Sequence, residues 1–125
     1  MAKFKISFGR LFLKEFQHFP EEDKDKIAAF VAHIKENGFI ALEGLNKKSN
    51  DVDKNDPKFL EKVSYANTHN LWHYHIGIKQ YNTRKTYGER TSEYVLHYQL
   101  LGDEIRIIDY SPHPPFNLPS QKYLK

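Results

Sequence analysis

The run at residues 71–79 constrains the fold most, because its side chains sort into two unlike faces when they alternate across a β-strand. One face is aromatic and aliphatic and carries Trp72, Tyr74, Ile76 and Ile78. The opposite face is titratable and cationic and carries His73, His75 and Lys79. The run predicts a strand at 71–80 that packs on a core with its first face and offers an anion site with its second.

The N-terminal third predicts a strand followed by two helices. Residues 3–8 alternate polar and apolar side chains up to Gly9, which is typical of a half-buried strand. A helix at 10–19 is indicated by Phe12, Phe16 and Phe19. A second helix, from Pro20 to the Asn37-Gly38 stop, opens with acidic residues that suit its dipole and has an apolar stripe formed by Ile27, Phe30, Val31 and Ile34.

The rest of the chain predicts two more strands joined by polar segments. In order, the segments are a polar surface loop at 46–57, a short turn of helix at 58–66, a basic hairpin loop at 81–91, strands at 93–101 and 104–110, and a proline-rich extended tail at 111–125. Together the elements predict an α+β fold, with an N-terminal strand and a helical hairpin packed on the Trp72 face of one antiparallel sheet.

Length and composition set outer limits on the class of protein. We expect a single domain over residues 1–125, because this length supports a core without disulfides or structural metal. The absence of cysteine excludes disulfide and zinc-thiolate sites and favours the cytoplasm. We expect no signal peptide and no membrane association. The formal net charge of +3 permits a polyanionic partner.

Several stretches resemble the RelE/ParE superfamily of toxins from bacterial type II toxin-antitoxin systems. The opening Phe4-Lys5-Ile6-Ser7-Phe8, with Lys14-Glu15-Phe16 and Asp23-Lys24-Asp25-Lys26-Ile27, is similar to that family's first strand and Lys-rich helical hairpin. The later strands agree, in the stretches 71–77, 93–98 and 105–113, the last of which resembles a final strand that ends in a catalytic histidine. Histidines stand where many members carry arginine, so the chain most resembles the histidine-using, YafQ-like branch.

The resemblance implies a RelE-like toxin that cleaves RNA without metal, an mRNA interferase that often acts on the ribosome. It also implies a cognate antitoxin. A basic, open sheet face is a natural dock for an acidic segment that folds on binding. No cofactor is expected.

Histidine is suited to this chemistry, because its ordinary pKa of about 6.5 allows it to act as base or acid near neutral pH. The candidate catalytic residues are His73, His75, His97 and His113. We assign the base to His73 or His75 and the acid to His113; a structural role in the sheet competes for His97. The candidate RNA-binding cations are Lys79, Arg84, Lys85, Arg90 and Arg106.

Two other interpretations stay open at this point. The four candidate histidines are also the residue type that binds zinc and related metals, and neutral imidazoles two residues apart on a strand can converge on one ion. Alternatively, the domain is a ParE-like, non-enzymatic toxin whose sheet docks a protein or DNA target. A chelator separates the metal hypothesis from metal-free catalysis, and RNA cleavage by purified protein separates both from the binding module.

Overall fold

A computed structural model describes residues 4–113 and 116–125. The elements in chain order are β1 (Lys5–Phe8), α1 (Arg10–Phe16), α2 (Glu21–Asn37), β2 (Asn46–Lys48), α3 (Phe59–Thr68), β3 (Leu71–His75), β4 (Tyr94–Leu101), β5 (Glu104–Pro112) and a 3₁₀ helix (Gln121–Leu124). The five strands form one sheet in the order β1-β5-β4-β3-β2. Lys3 of the predicted first strand and residues 114 and 115 of the predicted tail lie outside the described residues.

The predicted α+β fold, with helices packed on a sheet, is confirmed. The prediction that every strand is antiparallel is wrong for β1, which runs parallel to β5 with Lys5 opposite Glu104 and Phe8 opposite Ile107. All other neighbouring strands are antiparallel. No tight turn connects β1 to β5, because the two helices and the other strands intervene, so hairpin chemistry does not fix their relative direction.

The two N-terminal helices cover the Trp72 face of the sheet, as predicted. Phe12 on α1 and Phe30 on α2 are buried in one core with Tyr74 and Tyr98 of the sheet, while Trp72 is half-buried at its margin. Pro20 precedes α2, and Gly38 ends it at a positive φ of 62°. None of the helices found in the described ranges is both long and apolar enough to cross a bilayer.

The opposite face of the sheet is covered by elements that the sequence patterns predict incompletely. The predicted loop at 46–57 begins instead with β2, which pairs antiparallel with β3. The predicted short turn at 58–66 is the ten-residue helix α3. Ala66 of α3 packs with Leu71 and Ile108, and Leu118 and Leu124 of the C-terminal segment pack against the same group.

This cover contradicts the prediction of an open cationic face. His73, His75 and His97 are all buried, and the first two line a cleft. The predicted extended tail also differs from the structure at both ends, because β5 continues through Pro112 and the chain finishes in a 3₁₀ helix.

Candidate functional site

The structure brings together all four histidines that the sequence singles out, His73, His75, His97 and His113, which we call the histidine cluster. The ring centroids lie 6.0 Å apart for His73 and His75, 6.3 Å for His73 and His97, 5.9 Å for His73 and His113, and 5.3 Å for His75 and His113. Three of them, His73, His75 and His113, each offer a ring nitrogen within 4.8 Å of those of the other two.

Strand register explains most of this convergence. His73 and His75 are two residues apart on β3 and share a face, and His97 lies directly opposite His73 on β4. His113 follows β5, which is separated from β3 by β4. However, β4 begins only at Tyr94, and the backbone N–H of His113 donates to the carbonyl of Glu93 at 2.6 Å. Beyond that strand end, His113 reaches the end of β3.

The end of β3 is held in place by two tyrosines. The Tyr81 hydroxyl donates to the carbonyl of His75 at 2.8 Å and lies 2.8 Å from the Tyr74 hydroxyl. Gly44 is required beside them, because a Cβ atom at this position would lie 1.9 Å from the carbonyl oxygen of His75. Gly77 turns the chain at a positive φ of 83°, so the predicted strand at 71–80 ends at His75.

Serines on three different segments orient three of the rings. The pairs are Ser49 Oγ with His73 Nδ1 at 2.8 Å, the Ser92 carbonyl with His75 Nδ1 at 3.1 Å, and Ser111 Oγ with His97 Nε2 at 2.8 Å. The backbone N–H of Ser92 also lies 3.1 Å from His75 Nδ1, so the proton on that nitrogen selects between the two contacts. Among the described residues, Nδ1 of His97 and Nδ1 of His113 are buried without a hydrogen-bond partner.

Burial keeps the cluster neutral. It lowers the pKa of His73 to about 3, with further lowering from the nearby His75 and His113, and it lowers the pKa of His97 to about 3. The pKa of His75 is also lowered by burial, but the Ser92 carbonyl opposes this change. The pKa of His113 is lowered by burial and by the charge of Lys47. Near pH 7 the buried imidazoles therefore have free lone pairs.

A cleft of about 850 Å³ opens onto His73, His75 and His113. Phe116 packs over the cluster, with its ring centroid 4.6 Å from that of His73 and 4.9 Å from that of His113. The walls carry charges of both signs, from Lys47, Asp51, Asp53, Asp56, Lys62 and Glu93. Two pairs form across them, Lys47 with Asp51 and Lys62 with Asp56.

The predicted RNA-binding cations do not join the cluster as a group. The carbonyl of Lys79 accepts a hydrogen bond from Lys26 of α2 at 2.8 Å, and Lys79 does not line the cleft. Arg106 shares the histidine face but donates to the carbonyl of Leu124 at 2.6 Å and to Gln99 Oε1 at 3.2 Å. Its guanidinium therefore fastens the C-terminal segment to the sheet.

Of the three predicted cations in the 81–91 loop, one forms an ion pair and two are exposed. Arg90 pairs with Glu43 at 2.8 Å. Arg84 and Lys85 are exposed and line a smaller groove that shares Leu45 with the cleft. Lys85 is also close enough for its charge to lower the pKa of His75. Of the predicted set, Lys85 is the cation whose charge acts on a histidine of the cluster.

Sequence reasoning missed the residues that complete the site. Lys47 lies opposite His73 in the β2–β3 register, and Ser49 follows β2. Their segment contains no apolar alternation, so its pairing gives no periodic signal. Phe116 is one of a few apolar residues in a proline-rich tail, and its apolar character was the one indication in the sequence that it packs onto something.

Comparison of the chain with profiles of protein families, with curated proteins and with solved structures returns no match. Membership of the RelE/ParE superfamily therefore stays a prediction from the sequence resemblance. The functional site is defined by its geometry.

Proposed function

We propose that the protein is an endoribonuclease toxin of a toxin-antitoxin system, and that it cleaves RNA by metal-independent acid-base chemistry at the histidine cluster. One observation carries the proposal: His73, His75 and His113 converge within 4.8 Å at the floor of an open cleft. The resemblance to RelE/ParE toxins supplies the substrate class, single-stranded RNA, including mRNA on the ribosome.

The reaction needs two proton transfers. A base removes the proton of a ribose 2′-hydroxyl, the 2′-oxygen forms a bond to the adjacent phosphorus, and the bond to the 5′-oxygen breaks as an acid protonates it. The products are a 2′,3′-cyclic phosphate and a 5′-hydroxyl. Cations near the phosphate stabilise the charge that develops in the transition state.

We assign the base to His75 in preference to His73. A base with a pKa of about 3, as in His73, accepts a proton poorly near neutral pH. At His75 the Ser92 carbonyl offsets part of the lowering of its pKa by burial. In the tautomer that donates Nδ1–H to the Ser92 carbonyl, Nε2 of His75 is left to accept the 2′-hydroxyl proton.

We assign the acid to His113, the one member of the converging three that is only half-buried. Its pKa is lowered in the free protein. A phosphodiester bound beside it favours the protonated ring, because opposite charges a few ångströms apart stabilise one another. His113 also follows the end of β5 and lines the cleft, where it can approach a leaving group.

Lys47 replaces Lys79 as the proposed phosphate-binding residue. Its charge lowers the pKa of both His73 and His113, so it acts on the atoms where the chemistry occurs. Its ion pair with Asp51 is exposed, and exposed pairs exchange partners at little cost in free energy. Arg84 and Lys85 extend the positive surface beyond Leu45 for the flanking nucleotides.

The test is cleavage of end-labelled RNA by the purified protein in EDTA, with and without translating ribosomes. We expect cleavage that leaves a 2′,3′-cyclic phosphate and that stops when the 2′-hydroxyl at the cleavage site is replaced by hydrogen. Intact RNA in both settings, with growth arrest on expression, would contradict the ribonuclease and favour the binding toxin. Cleavage of the 2′-deoxy substrate would exclude the proposed nucleophile.

A further inference from the structure

We propose that His73, His75 and His113 also form a binding site for one divalent transition-metal ion, best matched by Zn²⁺, and that the bound ion inhibits RNA cleavage. The inhibitory part rests on the proposed ribonuclease function. The binding part rests on the geometry of the three side chains alone.

The spacing of the ligand nitrogens suits a small ion. Zinc binds imidazole nitrogen at about 2.0–2.1 Å, so three ligands of a tetrahedral site lie about 3.4 Å apart. The three histidines offer nitrogens within 4.8 Å of one another, and side-chain shifts of about an ångström close the set. Two of the rings come from one strand and the third follows another, so the sheet holds all three in place.

Hydrogen-bond partners at Nδ1 orient the rings of His73 and His75 in a way that suits metal binding. Histidine ligands characteristically donate their other ring N–H to a protein oxygen, which fixes the tautomer and the ring orientation. His73 has Ser49 Oγ at 2.8 Å from Nδ1, and His75 has the Ser92 carbonyl at 3.1 Å from Nδ1. In the tautomers that donate Nδ1–H to these oxygens, both rings keep the Nε2 lone pair free. In addition, Nδ1 of His113 is buried with no hydrogen-bond partner among the described residues.

The donor set selects the kind of ion. Three neutral nitrogens suit Zn²⁺, Co²⁺, Ni²⁺ and Cu²⁺, whereas Mg²⁺ and Ca²⁺ require oxygen ligands.

Occupation of the site removes the groups that the cleavage reaction needs. A metal ion coordinated by His75 and His113 would occupy one ring nitrogen of each residue. A coordinated nitrogen can neither accept a proton nor carry one to a leaving group. A fourth ligand, such as water, would have to come from the cleft that these three residues line. Free Zn²⁺ would therefore act as a reversible inhibitor of the toxin.

The experiment titrates chelator-treated full-length protein with Zn²⁺ by calorimetry and with Co²⁺ by visible absorption. We expect one ion per chain, a tetrahedral Co²⁺ spectrum and no response to Mg²⁺. The variants His75→Gln and His113→Gln should weaken Zn²⁺ binding by more than about 100-fold, and Ser49→Ala by about 10–100-fold. The control His18→Gln, in the exposed turn after α1, should bind as the wild type does. Circular dichroism confirms folding of each variant.

RNA cleavage measured on the same samples separates the two proposals. Zinc binding with reversible loss of cleavage supports the inference. Absence of stoichiometric binding, or equal binding by His75→Gln, His113→Gln and wild type, overturns it even if cleavage is intact. Zinc that binds and leaves cleavage unchanged or faster overturns the inhibitory part. Binding with no cleavage in any sample supports the metal site and contradicts the ribonuclease function.

Discussion

Ser49 Oγ lies 2.8 Å from Nδ1 of His73, and both side chains are buried. This contact joins the residue after the edge strand β2 to the middle of β3. It occupies one ring nitrogen of His73 and directs the other towards the cluster. A short polar strand with no apolar pattern therefore helps to set the orientation of a candidate functional side chain.

Replacing Ser49 with Ala should destabilise the protein. The change leaves Nδ1 of His73 buried without a partner, which costs about 1–3 kcal/mol in free energy of unfolding. Urea unfolding at pH 7 measures the loss. The matched control is Ser64→Ala on the exposed side of α3, which should change stability by less than about 0.5 kcal/mol. Equal stability of the two variants would show that the contact contributes nothing.

Acid should destabilise the fold through its buried histidines. The pKa of His73 and of His97 is about 3 in the folded chain, against about 6.5 when unfolded, so the unfolded chain binds more protons between these values. Each residue then removes up to about 1.4 kcal/mol of stability per pH unit as the pH falls from about 6.5 towards 3. Asp109, whose pKa burial raises to about 6, binds a proton in the folded chain and offsets one histidine between about pH 6 and 4.

The variant His97→Gln isolates one of these protons. Its free energy of unfolding should depend on pH less steeply than that of the wild type, by about 1.4 kcal/mol per pH unit between pH 6 and 4. Urea titrations at several pH values give both slopes. Identical slopes would mean that His97 is protonated in the folded protein.

Lys47, and not Lys79, should bind the phosphate near the cluster. Lys47→Gln should weaken binding of single-stranded RNA and reduce the slope of log affinity against log salt by about 0.7 for each phosphate that the variant no longer neutralises. Lys79→Gln is the matched control, because Lys79 is exposed and does not line the cleft. A larger effect at Lys79 would restore the assignment made from the alternating strand pattern.

Expression of the wild-type protein alone should arrest bacterial growth, and co-expression of a neighbouring antitoxin gene should relieve the arrest. The variant His113→Gln should be tolerated if it is present at a similar level, because toxicity then depends on cleavage. Colony counts with immunoblots measure both. Harmless overexpression of wild type would contradict the toxin, whereas arrest by both proteins would favour a binding toxin.

The alternation of apolar and polar side chains at 71–75 correctly predicted which face of the sheet the helices cover. A face with Trp72 and Tyr74 needs apolar cover, and the helical stripes through Phe12 and Phe30 provide it, so the helical side of the sheet follows from periodicity. The polar face follows less well. Its cover comes from α3, which the sequence predicted only as a short turn of helix, and from the C-terminal segment, which was predicted as an extended tail.

The histidines of the site were easier to predict from the sequence than the charged residues that surround them. His113 could be placed near His75 because it ends a strand of the same sheet. Lys79 was misplaced because Gly77 turns the chain before it, which ends the alternation at His75. Lys47 was missed because its position depends on the pairing of β2 with β3, a long-range interaction that leaves no trace in local sequence.

We propose that His75 and His113 perform the proton transfers of RNA cleavage. The direct measurement is the single-turnover cleavage rate, in EDTA, of His75→Gln, His113→Gln and the exposed control His18→Gln. We expect the first two variants to lose about 10²–10⁴-fold in rate while they remain folded and bind RNA, and the control to match the wild type. Wild-type rates for both site variants would contradict the histidine mechanism.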